Sequence, residues 1–325
     1  MTVRLTVRRD AWEAHVAATV DAYGHPLVPV VKGNGYGFGR AQLHDLVVAA
    51  GASMVAVGNV HELTDVPSSL RPVVLTPTLT APALTRHVRR DTVLTVGSHE
   101  HVDTLDGWYG QVMVKLASSM KRYGTTPARL PALVDHVDRA GLGIEAFALH
   151  LPLAGTDRDR IAEVEAWLPH LPDDAALWVS HLEPASVHAL QQRHPQLDLR
   201  VRVGTRLWLG VPRGDFVALS ADVLQVQPVA EGEPAGYRLV PSPCDGFVVS
   251  IGAGIVNGVA PLDDVAPGHD SPFHFARTRL ALLERPHMHT SLVVVPRDAP
   301  CPTVGDRVDV QRPFISTTVD DVEWV

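Results

Sequence analysis

Eight apolar, β-branched segments alternate with helix-like segments in the first two thirds of the chain. Nearly continuous apolar character is typical of strands that are buried on both faces, as in parallel sheets. Eight strand–helix repeats predict a (β/α)8 barrel, whose functional groups lie at the carboxyl ends of the strands. The predicted strands are Leu27–Gly33, Ser53–Gly58, Pro72–Pro77, Thr92–Val96, Val112–Ala117, Phe147–Leu153, Ala176–Ser180 and Asp198–Gly204.

A helix is predicted ahead of the barrel, where Asp10–Glu13 has the pattern of a capping box. The spacing of Trp12, Val16, Val20 and Tyr23 predicts that these four side chains share one buried helical face. Within the barrel, the clearest predicted helices are Arg40–Ala50, Ala128–Ala140, Asp157–Leu168 and Pro184–Arg193.

After Gly210 the helix-like segments give way to short alternating runs that are separated by turn signals such as Val304–Asp306. This change predicts two domains, a barrel over residues 1–210 and a smaller β domain over residues 211–325. The predicted strands of the second domain are Phe216–Val223, Tyr237–Val240, Phe247–Ile251, Leu292–Val295 and Arg307–Val310.

Composition narrows the range of partners. Of the 325 residues, 46% are hydrophobic and 20% are charged, as expected for a globular protein with a substantial core. A net charge of −8 without a basic tract argues against a nucleic-acid partner. The two cysteines, Cys244 and Cys301, form neither a disulfide framework nor a zinc motif. Because no signal-peptide pattern and no membrane-length apolar stretch is present, we expect a cytoplasmic protein that does not bind membranes.

The first predicted barrel strand ends at Lys32, and the glycine-rich segment Gly33–Gly39 follows it. Partial desolvation at the end of a buried strand favours a neutral amine, which can condense with an aldehyde to form a Schiff base. The glycines let the backbone approach an anionic ligand, to which Tyr36 offers a phenol. The alternative is a lysine that merely ends a strand before a turn.

Residues Val30–Gly39 resemble the lysine motif that binds pyridoxal 5'-phosphate (PLP) in alanine racemases, although Phe38 replaces a histidine, and Gly33 and Gly35 replace alanines. A barrel followed by a β domain is also the architecture of that family, so the resemblance covers nearly the whole chain. It implies a PLP cofactor attached to Lys32 and α-proton abstraction from an amino acid. The matching residues are Lys32, Asn34, Tyr36, Gly37 and Gly39.

A second stretch, Val114–Gly124, resembles the family segment that follows the fifth strand. The resemblance implies that Arg122 faces the phenolic oxygen of PLP and the substrate. It also implies that Lys115 is carbamylated and holds Arg122 in place. A planar cation beside a phenolate tunes the electronics of the cofactor.

The later strands supply the remaining implied cofactor contacts. His150 resembles the histidine that stacks on the pyridine ring, and Ser180 resembles a phosphate-binding serine. Arg202 matches the arginine that faces the pyridine nitrogen. A guanidinium does not readily give up a proton, so it leaves that nitrogen unprotonated. Gly204 and Thr205 are then expected to cradle the phosphate.

The β domain departs from the family pattern. Alanine racemases use a second base, a tyrosine from the partner subunit's β domain, and Ala253 stands at that position here. Met288 matches a methionine whose backbone amide contacts the substrate carboxylate. The resemblance therefore implies a head-to-tail homodimer in which each β domain completes the other subunit's site.

Several explanations for the missing tyrosine stay open. His287 or His289 could act as the second base, since histidine titrates near neutrality. The same pair, two residues apart on a predicted strand, could bind a metal, as in D-threonine aldolases and D-serine dehydratases. Two histidines alone do not define a site, so no metal is predicted. Residues Pro243–Gly246 resemble a cysteine-aspartate motif of ornithine decarboxylases, and residues 285–290 could be purely structural.

These patterns together predict a PLP-dependent racemase or epimerase that acts on a small-molecule amino acid. The alternatives are a lyase that uses PLP and a metal, a decarboxylase of the same fold, and a non-catalytic PLP-binding protein. The predicted β domain argues against the last of these, because the small PLP-homeostasis proteins have the barrel alone. The sequence does not specify the amino acid.

Overall fold

The computed structural model describes residues 2–81, 87–259 and 271–325. Contacts between Cα atoms group the chain into two compact units. One unit, called here the barrel unit, comprises Ala14–Gly35 and Arg40–Val211. The other, called the β unit, comprises the N-terminal residues through Glu13, the segment Tyr36–Gly39 and the chain from Pro212 onward.

A parallel sheet of eight strands forms the barrel unit, with the order β2-β9-β8-β7-β6-β5-β4-β3. A parallel bridge between Val30 and Ala56 joins the first and last strands of this order, so the sheet closes. The predicted (β/α)8 barrel is confirmed. Its strands are β2 (Leu27–Pro29), β3 (Met54–Val57), β4 (Arg71–Val74), β5 (Val93–Val96), β6 (Gln111–Leu116), β7 (Gly143–Leu149), β8 (Ala176–Ser180) and β9 (Asp198–Val203).

Burial explains why these segments read as continuous apolar runs. All four residues of β5 are buried, and so are five of the six in β6, because side chains on both faces of each strand are covered. A cluster of buried apolar side chains, most of them valine or alanine, fills the interior of the barrel. They are Val28, Val30, Ala56, Val73, Val93, Met113, Ala146, Ala148 and Trp178.

Helices follow the strands, and four of them match the predicted segments. The predicted buried face of α1 was wrong at one position. Val20, which was predicted to be buried, is 36% exposed, and Thr19 is buried instead. Thr19 lies closer than Val20 to the line through Trp12 and Tyr23, because a helix turns by about 100° per residue. The helices are α1 (Arg9–Tyr23), α2 (Arg40–Ala49), α3 (His99–Asp103), α4 (Leu130–Arg139), α5 (Asp157–Trp167), α6 (Pro184–Arg193) and α7 (Thr205–Leu209).

The long strand β10 organises the β unit, because it pairs antiparallel with β1, β13 and β18. The predicted smaller β domain after the barrel is confirmed. The strands of this unit are β1 (Val3–Val7), β10 (Val217–Val229), β11 (Pro234–Ala235), β12 (Val240–Pro241), β13 (Gly246–Ile251), β14 (Phe273–Phe275), β15 (Thr278–Arg279), β16 (Ala281–Leu282), β17 (Ser291–Pro296), β18 (Arg307–Val310) and β19 (Asp321–Trp324).

Two local predictions in the β unit were wrong. Residues 237–239 form the turn between β11 and β12 rather than a strand, with Gly236 and Leu239 at positive φ angles of 77° and 49°. His287 and His289 lie in the connection between β16 and β17, not on a strand, so they do not share a strand face. A turn closed by the His287 N–H and the Thr290 carbonyl, 2.8 Å apart, interrupts the extended backbone there.

Across the described ranges, no helix combines the length and the apolar character needed to cross a bilayer.

Candidate active site

Lys32 lies just beyond β2, at the carboxyl end of the barrel. Three hydrogen bonds fix the backbone that leads to it. The Val30 N–H donates to the Val203 carbonyl at 2.9 Å, and the Val31 N–H donates to the Ala56 carbonyl at 2.8 Å. The indole Nε1 of Trp208 donates to the Val30 carbonyl at 2.7 Å. Lys32 is thereby anchored to both neighbouring strands and to α7.

The loop after Lys32 is held by a carboxylate and a guanidinium. Buried Glu62 accepts from the Gly33 N–H at 3.1 Å and from the Gly58 N–H at 2.7 Å, so it ties the ends of β2 and β3 together. Arg40 donates to the Gly33 carbonyl at 2.7 Å. Gly33 has a φ of 61°, which favours glycine there.

Burial lowers the pKa of Lys32, and the charges of Arg122 and Arg202 lower it further, while Glu62 opposes them. The residue itself remains solvent-accessible. A lysine with a lowered pKa and an accessible amine is suited to condensation with an aldehyde. This arrangement supports the function predicted for Lys32 from its position in the sequence.

Lys115 is the second amine at this end of the barrel. It is buried on β6, and its pKa lies well below the ordinary value because of burial and because of the charges of Arg202 and Arg122. Its amine has no hydrogen bond or ion pair within the described ranges. The chain has three lysines in all, and the third, Lys121, is exposed.

Arg122 sits on the loop after β6, whose two ends are pinned together. The Ala117 N–H donates to the Thr125 carbonyl and the Thr125 N–H donates to the Lys115 carbonyl, both at 2.8 Å. The Arg122 guanidinium lies over the Tyr123 ring, 4.6 Å from its centroid, and the residue is exposed. The loop therefore presents a cation that has not been neutralised by an acid in the described structure.

Arg202 on β9 is buried and is held by two backbone carbonyls. Its Nε donates to the Val179 carbonyl at 3.3 Å and its Nη2 donates to the Leu149 carbonyl at 2.9 Å. Burial lowers its pKa to about 10, which leaves it charged at neutral pH. Its Nη1 has no hydrogen-bond partner among the described residues. A guanidinium so placed can donate to an acceptor atom of a ligand.

His150 and Ser180 form a hydrogen-bonded pair at the ends of β7 and β8. The Ser180 Oγ lies 2.6 Å from the His150 Nδ1 and accepts from the Leu151 N–H at 3.3 Å. Burial and the charge of Arg202 lower the pKa of His150 to about 2, so the ring is neutral. The hydrogen bond to the Ser180 hydroxyl holds this neutral ring through Nδ1. Ser180, predicted as a phosphate ligand, is engaged here in orienting His150.

The remaining predicted residues fall in both units. Gly204 precedes the first turn of α7, where the accessible Thr205 begins the helix and presents backbone N–H groups. Tyr36 is buried at a φ of 56° and groups with the β unit. Met288, His287 and His289 belong to the β unit as well.

Two residues near Lys32 and His150 were missed by the sequence reasoning. Glu62 follows the end of β3, and His181 follows the end of β8, with its ring 4.9 Å from that of His150. Burial and the charge of Arg202 lower the pKa of His181 to about 4. Both lie within a few residues of the carboxyl end of a barrel strand, and this position is the signal that could have identified them.

The alternative chemistries have less support. In the part of the chain that the structure describes, no group of three or more histidine, cysteine, aspartate or glutamate side chains is arranged to hold a metal. In the segment that resembles a decarboxylase motif, the Asp245 Oδ1 accepts from the Glu231 N–H at 2.9 Å, and the Cys244 carbonyl accepts from the Ser242 hydroxyl at 2.8 Å. These contacts stabilise a local turn.

Residues 7–212 match the family model described as the alanine racemase N-terminal domain. The chain belongs to the alanine racemase family. The resemblance inferred from the lysine motif is thereby confirmed. Among curated protein sequences, none matches this chain significantly.

Solved structures of alanine racemases share the fold over 95% or more of this chain. An alanine racemase from Bartonella henselae with covalently bound pyridoxal phosphate superimposes with a TM-score of 0.75 at 17% identity, covering 100% of both chains. The biosynthetic alanine racemase from Pseudomonas aeruginosa gives 0.70 at 20% identity and covers 100% of this chain and 99% of that one. An alanine racemase from Clostridium difficile 630 gives 0.70 at 17% identity, with coverages of 95% and 87%. At these identities the likeness concerns the fold.

Proposed function

We propose that this chain is a PLP-dependent amino-acid racemase or epimerase in which Lys32 carries the cofactor and serves as the base on one face of the substrate. The observation that carries the proposal is the convergence of cations at the carboxyl end of the barrel. Arg122 and Arg202 both act on the pKa of Lys32 and on that of Lys115. A site of this charge suits a ligand with a phosphate, a phenolate and a carboxylate.

The chain takes pyridoxal 5'-phosphate as its cofactor. The residues present fit it by their chemistry, since Arg202 is buried, its Nη1 has no acceptor among the described residues, and a guanidinium N–H matches an unprotonated pyridine nitrogen. When bound, PLP supplies an electron-withdrawing ring that makes the α-hydrogen of an attached amino acid more acidic. Gly204 and Thr205 would hold the phosphate through the first turn of α7.

The other residues of the barrel unit orient and hold charge. Arg122 binds the substrate carboxylate and the phenolic oxygen of the cofactor. Lys115, whose lowered pKa favours the neutral amine, is carbamylated, and the new negative charge offsets Arg122 and Arg202. Neutral His150, fixed by Ser180, packs against the ring without adding a charge to the site. Lys32 accepts the α-proton and returns it.

The substrate is a small-molecule amino acid, and the working form is a head-to-tail homodimer. In that dimer, the β unit of one subunit covers the barrel site of the other, so that Met288 approaches the partner's substrate carboxylate. Exposed apolar side chains of the β unit, including Ile255 and Met288, support such a contact. Homo-oligomers with two-fold symmetry are common among enzymes.

Incubation of the PLP-loaded protein with each amino acid in deuterated water tests the proposal. We expect deuterium at the α-carbon of at least one amino acid, followed by NMR, together with formation of its enantiomer or epimer. The same spectra report loss of a carboxylate or of a side-chain group. The proposal fails if the α-hydrogen of every amino acid is retained, or if the products are those of decarboxylation or elimination alone.

A further inference from the structure

A glutamate in the β unit organises a small polar cluster that the sequence patterns did not reveal. The side chain of Glu284 is 3% exposed. It accepts hydrogen bonds from the His287 Nε2 at 2.7 Å, the Tyr237 N–H at 2.8 Å and the Arg238 N–H at 3.2 Å. These bonds outweigh burial and hold the pKa of Glu284 below its ordinary value, so the carboxylate is ionised.

The backbone is shaped to bring this carboxylate close. Gly236 has a φ of 77°, and a Cβ atom at that position would collide with the Glu284 carboxylate. Glycine at this position therefore allows the turn before Tyr237 to wrap around the Glu284 side chain. The hydrogen bond between the Tyr237 N–H and the Glu284 carboxylate joins residues that are 47 positions apart in the chain.

Glu284 fixes both the orientation and the tautomer of His287. Because Nε2 donates to the carboxylate, the neutral ring carries its lone pair on Nδ1, where the Thr290 hydroxyl lies 3.4 Å away. The Tyr237 ring lies against the imidazole, with 4.3 Å between centroids, and Tyr237 itself is 86% exposed. The His287 side chain is 17% exposed. A carboxylate-oriented imidazole whose second nitrogen meets only a hydroxyl, at the long distance of 3.4 Å, is the arrangement of a general base.

The cluster lies beside the segment that contains Ala253. The Ile255 N–H donates to the His287 carbonyl at 2.9 Å, and the Val256 N–H donates to the Met288 carbonyl at 3.0 Å. Ala253 itself is fully buried and carries no ionisable group. His289, the other candidate, is exposed and has no hydrogen bond or ion pair to a described carboxylate.

From this arrangement we infer that His287 is the base on the second face of the substrate, and that Glu284 is its positioning residue, with Tyr237 holding the ring from the side. The inference rests on the proposed function and on the β unit facing the active site of a second copy of the chain. For one enantiomer, Lys32 takes the α-proton and the protonated His287 delivers a proton from Nδ1 to the opposite face. For the other enantiomer, the neutral Nδ1 takes the proton and Lys32 delivers one. Both groups then re-equilibrate with water.

The test compares His287→Asn with the matched control His289→Asn in the PLP-loaded enzyme. We expect His287→Asn to lose about 10²–10⁴-fold in racemization, as is usual for loss of a general acid or base. It should still exchange the α-hydrogen of one enantiomer with deuterated water through Lys32. Wild-type protein and His289→Asn should exchange both enantiomers.

A second measurement does not depend on turnover. In protein labelled with ¹⁵N-histidine, the His287 ring should show the proton on Nε2, and Glu284→Ala should abolish that preference while the His289 signals stay unchanged. Glu284→Ala should also lower racemization more than exchange on the Lys32 face.

The outcomes separate the two proposals. If His287→Asn racemizes at the wild-type rate, or if His289→Asn shows the loss instead, the assignment of His287 is overturned and the proposed function stands. If the His287 tautomer is the same in Glu284→Ala, the positioning role of Glu284 is overturned. If the wild-type enzyme exchanges no α-hydrogen at all, it is the proposed function that fails.

Discussion

The carboxyl end of the barrel and the Glu284 cluster of the β unit surround their ionisable side chains with opposite charges. At the barrel end, Lys32 and Lys115 lie near Arg122 and Arg202, and burial and repulsion lower the pKa values of both lysines. In the β unit, a buried carboxylate holds a single imidazole by a hydrogen bond of 2.7 Å. In one region, burial and neighbouring cations lower the pKa values of two amines, and in the other an anion orients an imidazole.

This difference suggests a division of roles. Lysine and arginine side chains that lie close together in a low-dielectric site repel one another, and an anionic ligand offsets that repulsion. The barrel end is therefore suited to binding an anion. The Glu284 carboxylate and the His287 imidazole satisfy each other by a hydrogen bond and do not need a ligand. This pair is suited to moving a proton. The experiments below probe the barrel side of this contrast, beginning with the largest expected effect.

Replacement of Lys32 by alanine should remove covalent cofactor attachment and lower activity by at least about 10⁴-fold, as is typical when a residue that acts covalently is lost. Borohydride treatment followed by peptide mass spectrometry should find the pyridoxyl group on Lys32 in the wild type. The exposed Lys121 provides the matched control, and Lys121→Ala should retain both attachment and activity. A pyridoxyl group on Lys115 or Lys121 would contradict the assignment.

A smaller effect is expected at Lys115. If its neutral amine is carbamylated, the intact protein should carry the additional mass of one carbon dioxide, released on acidification because a carbamate decomposes when protonated. Lys115→Ala should lack that mass and lose about 100-fold in activity through misplacement of Arg122. Lys121→Ala should keep the added mass. An unmodified wild-type protein that is fully active in the absence of bicarbonate would rule out this role.

The smallest effect concerns the stability of the cofactor-free protein. The pKa of His150 is lowered from 6.5 to about 2, so below pH 6.5 the unfolded chain binds a proton that the folded chain rejects. Stability is therefore present above pH 6.5 and is lost as the pH falls toward 2. His150→Gln should reduce this loss by up to about 1 kcal/mol per pH unit, measured by urea unfolding between pH 7 and pH 5.

For this last prediction, exposed His188 on α6 gives the control, and His188→Gln should unfold with the wild-type dependence on pH. Parallel pH profiles for His150→Gln and the wild type would show that the His150 ring is protonated in the folded protein.

Sequence reasoning succeeded for the elements that depend on local pattern. The eight barrel strands are continuous apolar runs, and Lys32 lies just beyond the first of them, so periodicity was enough to place them. The β domain was also recognised, but the turn between β11 and β12 was not, because Tyr237–Val240 alternates like a strand and Gly236 breaks it through its positive φ angle.

The parts that could not be predicted depend on long-range contacts. Nothing local to Glu284 indicates that it meets Tyr237, since the contact arises from the fold of the β11–β12 turn. The pairing of Ser180 with His150, 30 residues earlier, is likewise set by the neighbouring positions of β7 and β8 in the barrel. A residue type at a strand end predicts a location, but not which partner will take its hydrogen bond.

The presence of only three lysines in this chain affects how the protein reacts with aldehydes in general. Guanidinium groups carry most of its positive charge, and unlike amines they do not readily form imines. Free pyridoxal phosphate in solution therefore has few competing surface sites, since Lys121 is the one exposed side-chain amine besides Lys32. Adducts on this protein should be unusually uniform, so that the yellow colour of a preparation would measure the occupancy of a single position.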